Sequence, residues 1–249
     1  MSTALVHYSA AAASDRGRKR PSNEDAFAYS VEHGVYLVCD GMGGAAAGEI
    51  ASSLAVDEAL KFLTRRIGTS VDADDLGDLA EGAIGSANEA IFKRAERNYK
   101  LNGMGTTLVG LIVDERRVLV FNVGDSRCYL LRNKHIQQLT LDHSLVEEQV
   151  RLGRMTRSEA LRSPLKNVIT RALGTQNRVT PDVFERQAEP GDLFLLCSDG
   201  LTREVPDSQI ESLLSSDLTL AVLCTRLVDA AMKAGGHDNI TCLLVRADG

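Results

Sequence analysis

The sequence predicts an α+β fold in which antiparallel sheets are covered by helices. Strand-sized apolar runs come in clusters joined by short polar connections such as "DERR" (Asp114 to Arg117) and "RNKH" (Arg132 to His135). Between Cys39 and Thr106 the apolar period changes from that of a strand to that of a helix. Strands therefore do not alternate with helices one by one, which argues against a parallel βαβ array. With 249 residues, 44% hydrophobic and 25% charged, and no internal repeat, Pro-rich linker or low-complexity tract, the chain reads as one domain over 1–249.

Each element has its own signal. The first strand-like runs are Ala26–Val31 and Val35–Cys39, where Val, Leu, Phe and Tyr stand between Gly, Asp or Asn breaks. Ala51, Leu54, Ala55, Ala59, Phe62 and Leu63 then recur at three- and four-residue steps, as do Leu76, Leu79, Ala83, Ile84, Ala87, Ala90 and Ile91, predicting two long antiparallel helices. Strands follow at Thr106–Val113, Val118–Val123 and Arg127–Leu131. The stretch His143–Lys166 reads as a helical flap: a helix over Leu145–Leu152, a stop at Gly153, and Thr156 with Glu159 as the capping box of a second helix. Strands Asp182–Gln187 and Leu193–Cys197, a helix Leu220–Ala231 stopped by Gly235 and Gly236, and a strand Ile240–Val245 complete the pattern.

Several function classes are excluded. A net charge of -6, 4% aromatic content and no basic stripe do not fit a nucleic-acid or anionic-membrane partner. The N-terminal MSTALVHYSAAAAS lacks a basic start followed by a continuous apolar segment, and the other apolar runs are strand-sized, so neither signal peptide nor membrane span is expected and the cytoplasm is the expected location. Five cysteines without a CxxC pair make neither a disulfide framework nor a zinc ribbon.

The chemistry lies in where the strands end. Asp40, Asp125 and Asp199 each follow an apolar strand, and Asp238 precedes one, so the four can share one cleft along a common edge. Asp-Gly is also a favoured turn pair, which by itself would account for Asp40. Four carboxylates side by side need cations, and an all-oxygen set without His or Cys at ligand spacing favours Mg²⁺ or Mn²⁺ over Zn²⁺. Gly41, Gly43 and Gly44 serve as turn formers, or let a backbone carbonyl approach a metal. "RGRKRPSNED" (Arg16 to Asp25) reads either as a solvated basic cluster or as an arginine forked onto a phosphate with Glu24 and Asp25 holding metal-bound waters; spacing does not choose between these.

In order along the chain, "RPSNED", "VCDGMGGAAAGEIAS", "GMGTTL", "VGDSR", "DHSLVEEQVRLGRMT", "ITRALG", "CSDGL" and "GGHDNIT" resemble the motifs of bacterial metal-dependent type 2C serine/threonine protein phosphatases, the PPM family, from about Asp15 to Val245. The resemblance implies a β-sandwich of two antiparallel sheets flanked on each side by helices (four layers, αββα) with the flap beside the active site. It implies two core Mn²⁺ or Mg²⁺ ions, bridged by Asp40, with the Gly41 carbonyl on the first and Asp199 and Asp238 on the second. A third, weaker ion would be held by Asp125 with Asp199. Arg20 would bind phosphate, Glu24 and Asp25 would be outer-shell acids, and Asn239 would position Asp238. The implied reaction is hydrolysis of phosphoserine or phosphothreonine in proteins by a metal-bridging hydroxide, reversing a partner serine/threonine kinase, by a monomer. Animal members often carry His where this chain has Met42, which cannot protonate the leaving alkoxide, so that proton falls to metal-held water. Two rival readings are a phosphoprotein-binding relative without catalysis and a phosphoesterase acting on small molecules.

Overall fold

The computed structural model describes residues 7–43, 47–67 and 76–248. Gly44 lies outside the described residues. The chain begins with β1 (His7–Asp15), β2 (Asp25–Ser30), β3 (Val35–Met42), α1 (Ala47–Ile67) and α2 (Leu76–Glu96). It continues through β4 (Gly105–Thr106), β5 (Leu108–Asp114), β6 (Arg117–Val123), β7 (Arg127–Arg132) and β8 (His135–Gln138), then α3 (Leu145–Arg151) and α4 (Arg157–Arg162). The last third holds β9 (Asp182–Gln187), β10 (Leu193–Cys197), α5 (Asp199–Thr202), α6 (Asp207–Leu214), α7 (Leu220–Ala234) and β11 (Ile240–Asp248).

Two antiparallel sheets result. One has the order β1-β11-β10-β7-β8, the other β2-β3-β5-β6-β9 with β4 paired to β3. The continuous apolar runs follow from burial on both faces. In β3, Tyr36 and Val38 point between the sheets and meet Phe194, Leu196, Leu243 and Val245 of the other sheet. Val35, Leu37 and Cys39 point the other way, into a layer built by α1 and α2. The opposite sheet sends Leu195, Cys197, Cys242 and Leu244 outward under α6 and α7. Four layers, helix, sheet, sheet, helix, are thus written into alternate residues of the same strands.

The strand at Thr106–Val113 is interrupted at Thr107, which separates β4 from β5. Strand β1 carries no sequence signal, because four consecutive alanines favour a strand weakly. It forms through register alone, pairing residue for residue with β11 from His7↔Asp248 to Asp15↔Ile240. The flap is built as its caps predict: Ser144 caps α3, Thr156 and Glu159 close a reciprocal capping box on α4, and Gly153 adopts φ +68° between them. All five cysteines are free and buried.

Candidate active site

The predicted aspartates meet at one end of the sandwich, where both sheets contribute. Asp40 ends the apolar part of β3 in one sheet. Asp199 follows β10 and opens α5, and Asp238 precedes β11, both on the other sheet. Asp125 lies in the turn by which the chain crosses from β6 of one sheet to β7 of the other. A cleft of about 360 Å³ is lined by all four, together with Glu24, Gly41, Met42, Arg20 and Arg203.

The motif residues around the aspartates hold the backbone that presents them. The Asp40 carbonyl accepts from Thr107 N at 2.9 Å and from Thr106 Oγ1 at 2.9 Å, while Asp40 N donates to Thr107 Oγ1 at 2.9 Å. Thr107 Oγ1 also pairs with Ser126 Oγ at 2.7 Å, which ties the Asp40 strand to the Asp125 turn. Asn239 Oδ1 accepts from Glu24 N at 2.8 Å, and Asn239 Nδ2 donates to the carbonyls of Arg16 and Ser22, so this one amide fastens the Arg20 loop to the strand start. Gly41 packs where no side chain fits: a Cβ there would lie 2.2 Å from the Gly48 carbonyl oxygen.

Charge is badly out of balance in the cleft. Five lining carboxylates, including Glu24, face two guanidinium groups. Asp25, behind the cleft, stands directly opposite Asp40 in the β2–β3 register, where like charges repel. Burial first, and the neighbouring carboxylates second, push Asp40 and Asp199 well above the ordinary carboxylate range; burial also raises Asp125. Asp25 is pushed up to about 6, mainly by burial. Asp199 Oδ1 and Asp25 Oδ1 are buried with no hydrogen-bond partner, although Asp25 Oδ2 accepts from Ser198 Oγ at 2.7 Å.

These features fit divalent cations. Buried, unpartnered carboxylate oxygens in an all-oxygen cleft with excess negative charge are the donors that Mg²⁺ or Mn²⁺ requires. As the side chains stand, no three of the described His, Cys, Asp or Glu groups close around one point. Arginines draw on their oxygens instead. Arg20 Nη2 lies 2.8 Å from Asp238 Oδ2, and Arg203 reaches Asp125, Asp199 and Asp238 together.

Arg203 has no place among the predicted site residues. Its signal is present, since it stands four positions after Asp199, but reading it requires knowing that Asp199 opens a helix. His143 is a second such residue. It begins the flap in sequence, yet it is buried, and its Nδ1 accepts from Gly124 N at 3.0 Å while His143 N donates to the Gly124 carbonyl at 3.0 Å. Nε2 therefore carries the proton and faces Asp182 Oδ2 at 3.3 Å. The flap returns past the cleft through Asn167 and Ile169, which line it.

Comparison with known proteins finds matches over nearly the whole chain. The family model described as protein phosphatase 2C matches residues 14–244. "Serine/threonine phosphatase stp" of Listeria monocytogenes is 41% identical over 237 residues, 94% of each chain. "Serine/threonine protein phosphatase PstP" of Mycobacterium tuberculosis is 40% identical over 247 residues, 97% of this chain and 45% of that protein. The crystal structure of Mycobacterium tuberculosis PstP/Ppp superposes with a TM-score of 0.89 at 36% identity, covering 98% of this chain and 100% of the other. The PstP catalytic domain in complex with two manganese ions gives a TM-score of 0.87 at 36% identity, with 98% and 100% covered.

Proposed function

The chain belongs to the protein phosphatase 2C family, and on that premise we propose that it is a metal-dependent phosphatase removing phosphate from serine and threonine in proteins, with Asp40, Asp199, Asp238 and Arg20 at the reacting centre. The observation that carries this reading is the convergence of Asp40, Asp125, Asp199 and Asp238 on one cleft in which Asp199 Oδ1 is buried and unpartnered. Asp40, the Gly41 carbonyl, Asp199 and Asp238 would hold two Mn²⁺ or Mg²⁺ ions, and Asp125 with Asp199 a third. Such ions, when bound, act as Lewis acids and bring the pKa of water toward neutrality.

The chain's own residues do the rest. Arg20 stands at the mouth with its side chain 47% exposed and its guanidinium already oriented by Asp238. That planar fork matches a phosphate dianion and offsets charge on the phosphoryl oxygens. Asn239 keeps Arg20 and Asp238 in register: its side-chain amide donates to the Arg16 and Ser22 carbonyls on either side of Arg20, and its backbone N–H donates to Asp238 Oδ1. Glu24, which lines the cleft, and Asp25, which lies behind it and accepts from Ser198, would serve as the outer-shell acids. Met42 lines the cleft and offers no proton to a leaving alkoxide, so that proton must come from water. A thiolate route is not supported, because no cysteine among the described residues lines the cleft, and burial raises the Cys39, Cys128 and Cys197 thiols.

The expected partners are phosphoproteins, a serine/threonine kinase whose products this enzyme reverses, and that kinase's targets. The enzyme acts as a monomer in the cytoplasm. No helix among the described residues is long and apolar enough to cross a membrane. The test is phosphate release from a phosphothreonine peptide with Mn²⁺, with chelator, and with Asp199→Asn. Release that needs Mn²⁺ and collapses in the variant supports the reading. Binding of the phosphopeptide without release, by folded protein under any metal, would favour a non-catalytic phosphoprotein binder. Release only from small phosphoesters would favour the small-molecule alternative.

A further inference from the structure

Arg203 is placed by helix geometry rather than by chance contact. It is the C-cap of α5, and its backbone N–H donates to the carbonyl of Asp199. One helical turn sets its side chain on the same face as Asp199. Arg203 Nη2 contacts Asp199 Oδ2 and lies 3.3 Å from Asp125 Oδ2, while Nη1 lies 3.9 Å from Asp238 Oδ2. Asp125 and Asp199 are 7% and 8% exposed, and the second oxygen of Asp199 has no partner at all. One guanidinium therefore bridges two buried carboxylates and leaves a free oxygen beside them.

We propose that Arg203 is a built-in cation occupying the Asp125–Asp199 pair, which a divalent ion must displace in order to bind there. This rests on the metal-dependent reading of the cleft. A guanidinium cannot lose its proton in a protein, so the pair is not freed by deprotonation of its partner; it is freed by exchange of one cation for another. With 31% of its side chain exposed, Arg203 can leave for water without vacating a packed site. Asp40 has no such competitor, since none of the cleft's ion pairs involves it among the described residues. The ion held through Asp125 is consequently one that must displace Arg203 to bind. Metal filling is sequential, and Arg203 sets the concentration at which the last step occurs.

The experiment is Mn²⁺ binding at equilibrium, read as free Mn²⁺ by electron paramagnetic resonance, on the wild type, Arg203→Met, Asp125→Asn and the double variant. Met keeps the apolar stem and removes the charge; Arg203→Gln provides the same test where Met impairs folding. The expected result is a gain of about tenfold in affinity for the weakest ion on losing the ion pair, with the gain abolished when Asp125→Asn is added. An Arg203→Met isotherm that superimposes on the wild type, or a gain that persists without the Asp125 carboxylate, overturns the inference while leaving the phosphatase reading intact. Failure of all four proteins to bind Mn²⁺ overturns both.

Discussion

Asp25 stands directly opposite Asp40 across β2 and β3, two carboxylates in one register position, with the Ser198 hydroxyl donating to Asp25 Oδ2. Without metal this pair favours a proton. Asp25 is raised from 3.8 to about 6, chiefly by burial, so between those values the folded chain holds a proton that the unfolded chain has lost. The folded state then binds more protons, and stability falls as pH rises through that window. His143 acts in the opposite sense, because burial lowers its pKa and the unfolded chain takes up a proton first below about 6.5. The comparison is therefore with Asp25→Asn. In chelator, the wild type is expected to lose more stability than Asp25→Asn between pH 4 and 6, measured by urea unfolding. Equal slopes would show that Asp25 does not hold that proton.

Asp40→Asn separates stability from activity. Asp40 is raised by burial and then by Asp25, Asp199, Asp125 and Asp238, with no guanidinium of its own. Removing its charge in chelator should stabilise the fold by about 1–2 kcal/mol, as relief of an active-site repulsion does. Phosphate release should fall on the order of a thousandfold or more if Asp40 holds the catalytic ions as proposed. A thermal melt in chelator beside a turnover assay in Mn²⁺ checks both halves. A lower melting temperature would mean that Asp40 is not under repulsion.

What was legible in the sequence depended on how local the cause was. The β3 strand, its turn at Asp40 and the flap caps are set within a few residues, so apolar runs and the Thr156–Glu159 spacing suffice to find them. Strand β1 is set by pairing with β11, more than two hundred residues away, and its alanines do not announce it. The carboxylates were visible as strand ends, but Arg203 was not. Its role depends on a four-residue helix after β10 that places it over Asp125, which comes from a different turn. His143 was hidden for a like reason: it opens the flap in sequence and serves the Gly124 turn in space.

Gly200 permits the close approach of α5 to the start of β11. A Cβ at this position would lie 1.9 Å from the Asn239 carbonyl oxygen and 3.3 Å from Asp238 Cβ. Gly200→Ala must therefore push α5 from the start of β11 and part Asp199 from Asp238. The expected cost is about 1–3 kcal/mol for overpacking. Activity should remain depressed at saturating Mn²⁺ and at temperatures where the variant is fully folded. Full activity under those conditions would show that the two aspartates tolerate separation.

His143 should matter through the turn it holds. His143→Ala leaves the buried N–H of Gly124 without an acceptor, a loss of about 1–3 kcal/mol. The neighbouring Asp125 turn then loosens, and the Mn²⁺ concentration for half-maximal activity should rise. His143→Asn returns an oxygen near the position of Nδ1 and should restore part of both. Equal behaviour of the Ala and Asn variants would indicate a packing role alone.

The flap carries apolar surface that the fold does not use. Helix α4 has no buried residue, and Leu161, Leu152, Leu165 and Val168 are 76%, 57%, 49% and 42% exposed. The helix is maintained locally, by its capping box and by Arg157 reaching Glu147 of α3 at 3.4 Å, so Leu161 is free of any packing duty. They belong to the same flap segment as Asn167 and Ile169, which line the cleft, so the flap is the expected docking surface for the polypeptide around a phosphoresidue. Leu161→Glu combined with Leu165→Glu should leave stability within about 0.5 kcal/mol, as surface changes do. KM for a phosphoprotein should rise by roughly tenfold as apolar contact is lost, with kinetics on a small phosphate ester unchanged. Exchange of the whole segment His143–Lys166 for that of a relative should likewise alter preference among phosphoproteins. An equal loss on both substrate classes would locate the defect in the cleft, and no loss on either would remove the flap from substrate docking.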